Sequence, residues 1–314
     1  MFLWIWQLET LIKKYGDIKN IIIKLKDMGI NDVCIKYHEG SSSVGGGIDY
    51  RQKFLKYYKS FKDEGFKVGT WGYNYFNNIN GEANLIIEAL KYSDYYIFDP
   101  EVDVSNKFSQ AEEVCKLVRA VHPKAIIGYS SFPIVSYHKD IPYSVFDKYC
   151  DYASPQAYWE EMKWDVRKCI EKMLGDHKAN GLNKPIYPSI QTYRCDLASY
   201  KLLKDYGFKS MGGWSLDEMD SNFEKGIKFY AEEDNKVESI VVYGNDIDKR
   251  AAEYLADYLQ CPTIHKDNIN TIINNVKNIY AVGGNWKPTN DSILISGTDR
   301  FDTIRNVLKY INKY

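Results

Sequence analysis

A chain of 314 residues is long for one average domain, but it suits an α/β barrel, which by itself uses more than about 200 residues, with one small module added. Its 41 Lys+Arg against 42 Asp+Glu leave a formal net charge of -1, which removes the electrostatic case for a nucleic-acid partner. The aromatic content of 15%, with 27 Tyr and 7 Trp, fits rings that line a groove, and it fits a Tyr-rich codon bias equally well.

From the start to about Tyr230, short apolar β-prone runs alternate with amphipathic stretches, the pattern of parallel βα units. Eight strands are expected, at 3–8, 32–37, 67–73, 95–98, 125–130, 152–156, 186–191 and 210–214. The expected helices are 18–28, 50–64, 81–92, 108–121, 142–149, 164–180, 196–206 and 222–230. Gly29, Gly65, Gly181 and Gly207 each follow a helix, where glycine relieves a left-handed turn. Eight such units close most economically as a TIM barrel, so the fold class is α/β: a (β/α)8 barrel over 1–230, then a small αβ module. The loop GSSSVGGG, 40–47, is read as flexible, either bordering the site or merely lying at the surface. A charged stretch at 231–237 reads as linker, and the pattern restarts with SIVVY in a module at 238–314, whose charges balance at nine Lys+Arg against nine Asp+Glu.

The chemical signal is YYIFDPEVD, an apolar strand that runs into Asp99, Glu101 and Asp103. Alternation puts Asp99 and Glu101 on one face, inward at a barrel mouth. Two carboxyls in contact cannot both ionise cheaply, so one keeps a proton near neutral pH, as glycoside hydrolysis requires of its acid. A helix-capping loop would have the same spacing. Other strand ends offer groups suited to a sugar, namely Gln7, Glu9, Lys36, His38, Trp71, Tyr73, Gln156, Tyr158, Gln191, Trp214 and Asp217, with Ser130 and Ser131 beside them.

Competing chemistries lack their parts. The six Cys (Cys34, Cys115, Cys150, Cys169, Cys195, Cys261) form no CxxC and read as reduced thiols, and the His residues sit on separate units, so neither a metal nor a cofactor is expected. Cys34 or Cys195 with His38 leaves a Cys/His peptidase formally open. MFLWIWQLE has no basic n-region and meets Glu9 early, so no signal peptide and no membrane association are expected.

The segments WIWQLE, KVGTWGYNY, FDPEVD, IGYSSFP, YCDYASPQAYW and GGWSLDE resemble bacterial and phage proteins of the barrel glycosidase superfamily. The D-x-E after strand four looks like the motif of family 25 muramidases and, more distantly, of family 18 chitinase-like enzymes. That resemblance implies that Glu101 is the acid and Asp99 its support. Family 25 has an Asp on strand one where this chain has Gln7 and Glu9, and the family 18 run of aspartates is missing, so the nucleophile stays open.

ESIVVYGNDIDKRAAEYLADYLQCPTI, KNIYAVGG and ISGTDRFDTIRNVLKYI resemble the cell-wall-binding module of clostridial phage endolysins, itself similar to the type 2 cell-wall-binding repeat. The resemblance implies an endolysin that is made in the host cytoplasm, released through a holin, and acts on peptidoglycan as an N-acetylmuramidase. The alternatives are a substrate-assisted N-acetylglucosaminidase and a non-catalytic wall binder. It also implies self-association through the module and a shorter product from an internal start, which would need a non-AUG codon such as that of Val237, because no Met follows Met219.

Overall fold

The computed structural model describes residues 1–234 and 237–314. It divides into two compact units, Met1–Lys228 and Phe229–Tyr314.

The first unit is a parallel barrel. Its strands are β1 (Phe2–Ile5), β2 (Asp32–Glu39), β3 (Lys67–Asn74), β4 (Tyr95–Pro100), β5 (Ile126–Tyr129), a sixth position in two pieces, β6 (Tyr152–Ala153) and β7 (Gln156–Ala157), then β8 (Ser189–Gln191) and β9 (Gly212–Trp214). The sheet closes at the sixth position: β6 pairs with β5 through Gly128 and Tyr152, β7 pairs with β8 through Gln156 and Ser189, and β9 returns to β1 through Gly212 and Phe2. Pro155 sits in the break, where a residue without an N–H removes no ladder bond, and its carbonyl still accepts from Ser189 at 2.9 Å.

The helices are α1 (Leu8–Tyr15), α2 (Ile18–Asp27), α3 (Tyr50–Asp63), α4 (Ile79–Ala89), α5 (Phe108–Val121), α6 (Tyr143–Tyr149), α7 (Val166–Ala179), α8 (Leu197–Leu203) and α9 (Ser221–Asp234). Asp17, Asp49, Asn78, Asp165 and Asp196 cap their helices by accepting from a backbone N–H in the first turn, which explains why these helices start where they do.

Large rings fill the barrel. Phe2, Trp4, Cys34, Trp71, Tyr95, Ile97 and Tyr152 form one buried cluster. Glycines opposite the rings make room for them: a Cβ on Gly69 would lie 2.1 Å from the Tyr95 ring, and one on Gly212 would lie 2.6 Å from both Phe2 and Trp4. The interior is therefore solid below, leaving the strand ends to carry a site.

Three local readings change. β1 stops at Ile5, and 8–15 is helix α1, because Leu8 and Leu11 recur at helical spacing and bury one face. Loop 40–47 contains half of a short hairpin, Val44–Gly45 against Ile48–Asp49, turned by Gly46 and Gly47 at φ +57° and +78°, the left-handed pair that a tight hairpin requires. Helix α9 runs to Asp234, four residues into the stretch read as linker, and of that stretch 235 and 236 lie outside the described residues.

The second unit is a four-stranded parallel sheet of β10 (Val237–Tyr243), β11 (Thr263–His265), β12 (Val276–Val282) and β13 (Ile293–Ile295), in the order β11-β10-β12-β13. Helices α10 (Asp246–Leu259) and α11 (Arg300–Tyr310) cover the face that carries Val241, Val282 and Ile295. Ile240, Val242 and Ile279 pack on the other side with Ile269. Burial on both faces explains why SIVVY reads as an unbroken apolar run.

Candidate active site

Asp99 lies at the C-terminal end of β4, beside Tyr73 in register, and its backbone N–H donates to Asn74 Oδ1 at 3.0 Å. Glu101 follows where the chain leaves the strand for a short 3-10 turn. Gln156, at the start of β7, donates from one amide nitrogen to both acids, 3.1 Å to Asp99 Oδ1 and 3.0 Å to Glu101 Oε1. These three residues, with Trp4, Ser130, Tyr158 and Trp214, line a cavity of about 120 Å³ at the mouth of the barrel.

Its floor is aromatic. Trp4, Trp71 and Trp214 meet edge to face at centroid distances of 5.4 to 5.9 Å. Trp71 is fixed by donating to the Ile5 carbonyl at 3.1 Å, and Trp4 by donating to Ser189 Oγ at 2.9 Å.

Burial pushes the Asp99 carboxyl well above the usual carboxylate range, and the Glu101 charge adds to the shift, while Lys36 and the Gln156 amide oppose it. Burial also raises the Tyr158 hydroxyl, with the Asp99 charge next in size. Burial therefore favours the protonated form of Asp99 within the acid pair. Such a pair titrates as a unit.

Lys36 is buried and reaches Glu39 at 2.8 Å, its ammonium also lying 4.5 Å from the Tyr50 ring centroid and 5.1 Å from that of Trp71. Burial would raise Glu39, but the hydrogen bond and charge of Lys36 together with the Tyr75 hydrogen bond outweigh it and hold the carboxyl low. Tyr75 donates to the other Glu39 oxygen at 3.1 Å, and Tyr73 donates to Asp103 at 2.6 Å.

Several expected site residues are elsewhere. His38 would face inward with Lys36 if β2 were regular, but a bulge between Lys36 and His38 resets the alternation. His38 then pairs with Gly72, on the face opposite Trp71 and Tyr73, where it bonds the Gly40 carbonyl at 2.8 Å and Tyr96 Oη at 2.7 Å. Burial lowers it to about 4, so it is a neutral packing group, and it makes no pair with Cys34, which points into the barrel. Glu9 belongs to α1 and is engaged by Lys53 at 3.0 Å and Lys13 at 3.7 Å. Gln7 sits at the N-cap of α1 and accepts from Thr10 Oγ1. Both Asp217 oxygens accept backbone N–H groups, of Trp6 and Gln7, each at 2.9 Å, which ties the loop after β9 to the end of β1. Gln191 is buried and bridges the Glu160 N–H and the Tyr193 carbonyl. Cys195 is likewise buried, and every Cys is free.

With this geometry in hand, comparison with known proteins adds a partial likeness. A chain of the CTP1L endolysin, whose crystal structure is described as revealing how its activity is regulated by a secondary translation product, is 48% identical; the match covers 25% of this chain and 100% of that one, with a TM-score of 0.23. The β-galactosidase of the psychrophilic Marinomonas ef1 aligns over 94% of this chain and 75% of its own at 7% identity and a TM-score of 0.52, a likeness of fold alone. Active domain 2 of the chitinase from Pyrococcus furiosus aligns over 67% of this chain and 88% of its own at 13% identity and a TM-score of 0.49. No protein-family model and no curated protein matches the chain.

Three groups at this mouth escaped the sequence reading. Trp4 was read only as strand, although its inward parity with Phe2 was available. Glu39 takes the inward position beside Tyr73 because of the bulge, which nothing in the sequence announces. Asp103 was noted in the acidic run but not matched to Tyr73. Among the described residues no group of His, Cys, Asp and Glu is arranged to hold a metal, and no helix is long and apolar enough to cross a membrane.

Proposed function

We propose that this protein is an endolysin-type glycoside hydrolase that cuts the glycan strands of peptidoglycan, with Glu101 as the general acid and Asp99 as its partner. The observation that carries the reading is the pair of carboxyls joined by Gln156 over a Trp floor, at the end of the barrel where active sites of this fold are built. The pair keeps one proton near neutral pH, and Glu101 delivers it to the departing glycosidic oxygen. Trp214 and Tyr158 supply a ring and a hydroxyl for the sugar.

Cleavage as an N-acetylmuramidase is the first reading. A second, N-acetylglucosaminidase cleavage in which the substrate's own acetamido oxygen attacks, is favoured by the fate of the other carboxylates: Glu9 is paired with Lys53, and Asp217 is saturated by backbone N–H groups. Neither is free to serve as the enzyme's nucleophile, and an acetamido group can take that role. Mass spectrometry of digested wall tests both. New reducing-end MurNAc supports the muramidase, new reducing-end GlcNAc the glucosaminidase, and no cleavage leaves a wall binder.

The second unit, by its sequence resemblance, is proposed to anchor the enzyme to clostridial wall polymer and to self-associate. Synthesis in the host cytoplasm and release through a holin belong to the same proposal. A tagged 238–314 fragment that decorates clostridial cells supports the anchor, and a fragment that binds only when joined to the barrel removes it.

A further inference from the structure

The side-chain amide of Gln156 carries two hydrogens on Nε2, and both are used, one on Asp99 Oδ1 and one on Glu101 Oε1. Among the described residues no hydrogen bond reaches Asp99 Oδ2 or Glu101 Oε2. Both acids also line the cavity, and Asp99 is buried to 5% exposure.

Resting on the reading that this acid pair is catalytic, we propose that Gln156 is the positioning residue that directs the shared proton to the two unengaged carboxyl oxygens, Asp99 Oδ2 and Glu101 Oε2. An oxygen that already accepts an N–H behaves as the carbonyl oxygen of a neutral acid or as the better-solvated oxygen of an anion. The hydroxyl then forms on the other oxygen. One amide thereby sets the tautomer of two acids at once and leaves a donor and an acceptor free in the cavity.

The backbone explains how one residue reaches both. Gln156 opens β7 just beyond the break at Ser154–Pro155, its N–H donates to the Ser131 carbonyl at 2.9 Å, and its register is set by Ser189 of β8. Side chains at 152, 154 and 156 keep one parity across the break: Tyr152 lies in the barrel cluster, Ser154 bonds Ser189, and Gln156 points at the acids. The break changes the strand's partner without turning Gln156 away from the interior.

A hydrogen bond donated to a carboxylate favours its charged form, so removing the donor raises the proton affinity of both acids. The test uses the full chain as wild type, Gln156→Leu and Gln156→Asn, the last retaining the amide but falling one methylene short. Carbon-13 NMR of labelled Asp and Glu side chains follows the two carboxyls directly, and glycan cleavage is followed against pH. In Gln156→Leu both carboxyls are expected to titrate about one pH unit higher, with the alkaline limb of the rate profile moving up alongside. The turnover number should fall about 10- to 100-fold while KM changes little, and Asn should not restore it. Unchanged titration of Asp99 and Glu101 in Gln156→Leu overturns the inference, as does a rate loss that leaves the shape of the pH profile intact. If the wild type cleaves no glycan, the hydrolase reading falls on that result alone, and the NMR titration still decides the role of Gln156.

Discussion

The two ends of the barrel each hold an aspartate that burial pushes above its ordinary range, and they differ in what stands beside it. At the C-terminal mouth Asp99 shares a donor with a second acid over a Trp floor in a cavity of about 120 Å³. At the N-terminal mouth Asp32 is raised to about 6, chiefly by burial, in a larger cavity of about 300 Å³ lined by Phe2, Tyr95, Tyr152 and Tyr187. Its neighbours are a phenol, Tyr95 at 2.7 Å, and an ammonium, Lys67 at 3.8 Å. Neither cavity size nor a raised acid singles out chemistry. A second acid that shares its hydrogen-bond donor does, because such a pair supplies the proton inventory that hydrolysis of a glycoside needs, whereas Asp32 is held by Tyr95 and Lys67.

The largest effect that separates the ends is expected for Glu101→Gln. It keeps size and hydrogen bonding but removes the transferable proton, so cleavage should fall on the order of 10²- to 10⁴-fold with the unfolding midpoint unchanged. Near wild-type wall lysis by this variant would move the chemistry away from the end of β4. Asp99→Asn comes next. The variant removes one of the two acids that share the proton, so besides a loss of about 10- to 100-fold the pH dependence of the rate should change shape. A pH profile that keeps its shape would mean that the two acids do not act as a pair.

Asp32→Asn should act on stability and not on rate. A folded-state pKa raised from 3.8 to about 6 contributes stability that is present below about 3.8 and lost as pH rises through about 6. The Asn variant should therefore be more stable than wild type at pH 7.5, on the order of 1–3 kcal/mol, with the gap closing by pH 4. Urea unfolding at the two pH values checks this, and a fall in cleavage rate at matched stability would reveal an unexpected role for the N-terminal cavity. The smallest effect is expected for Glu9→Gln. It only breaks solvent-facing ion pairs with Lys53 and Lys13, so cleavage should change by less than about twofold. A larger loss would return Glu9 to candidacy as the nucleophile.

By itself the sequence determined the succession of strand and helix, the closing of eight βα positions into a barrel, the restart of the pattern near Ser239, and the acids at the end of β4. Each of these follows from local periodicity or from a short motif in a known strand context, and both survive any packing that buries the apolar face. Tertiary structure alone decided which polar side chains share the mouth. One bulge in β2 exchanged His38 for Glu39, since a single extra residue reverses every later side chain on a strand. Helix α1, lying where a longer strand was expected, carried Glu9 to Lys53 and left Gln7 at its cap. The junction of Gln156 with Asp99 and Glu101 spans 57 and 55 residues of sequence, and it exists because β4 and β7 converge on the same mouth. Burial of Asp99, which raises its proton affinity, depends on that convergence and on the Trp floor beneath it, and no window along the chain contains either.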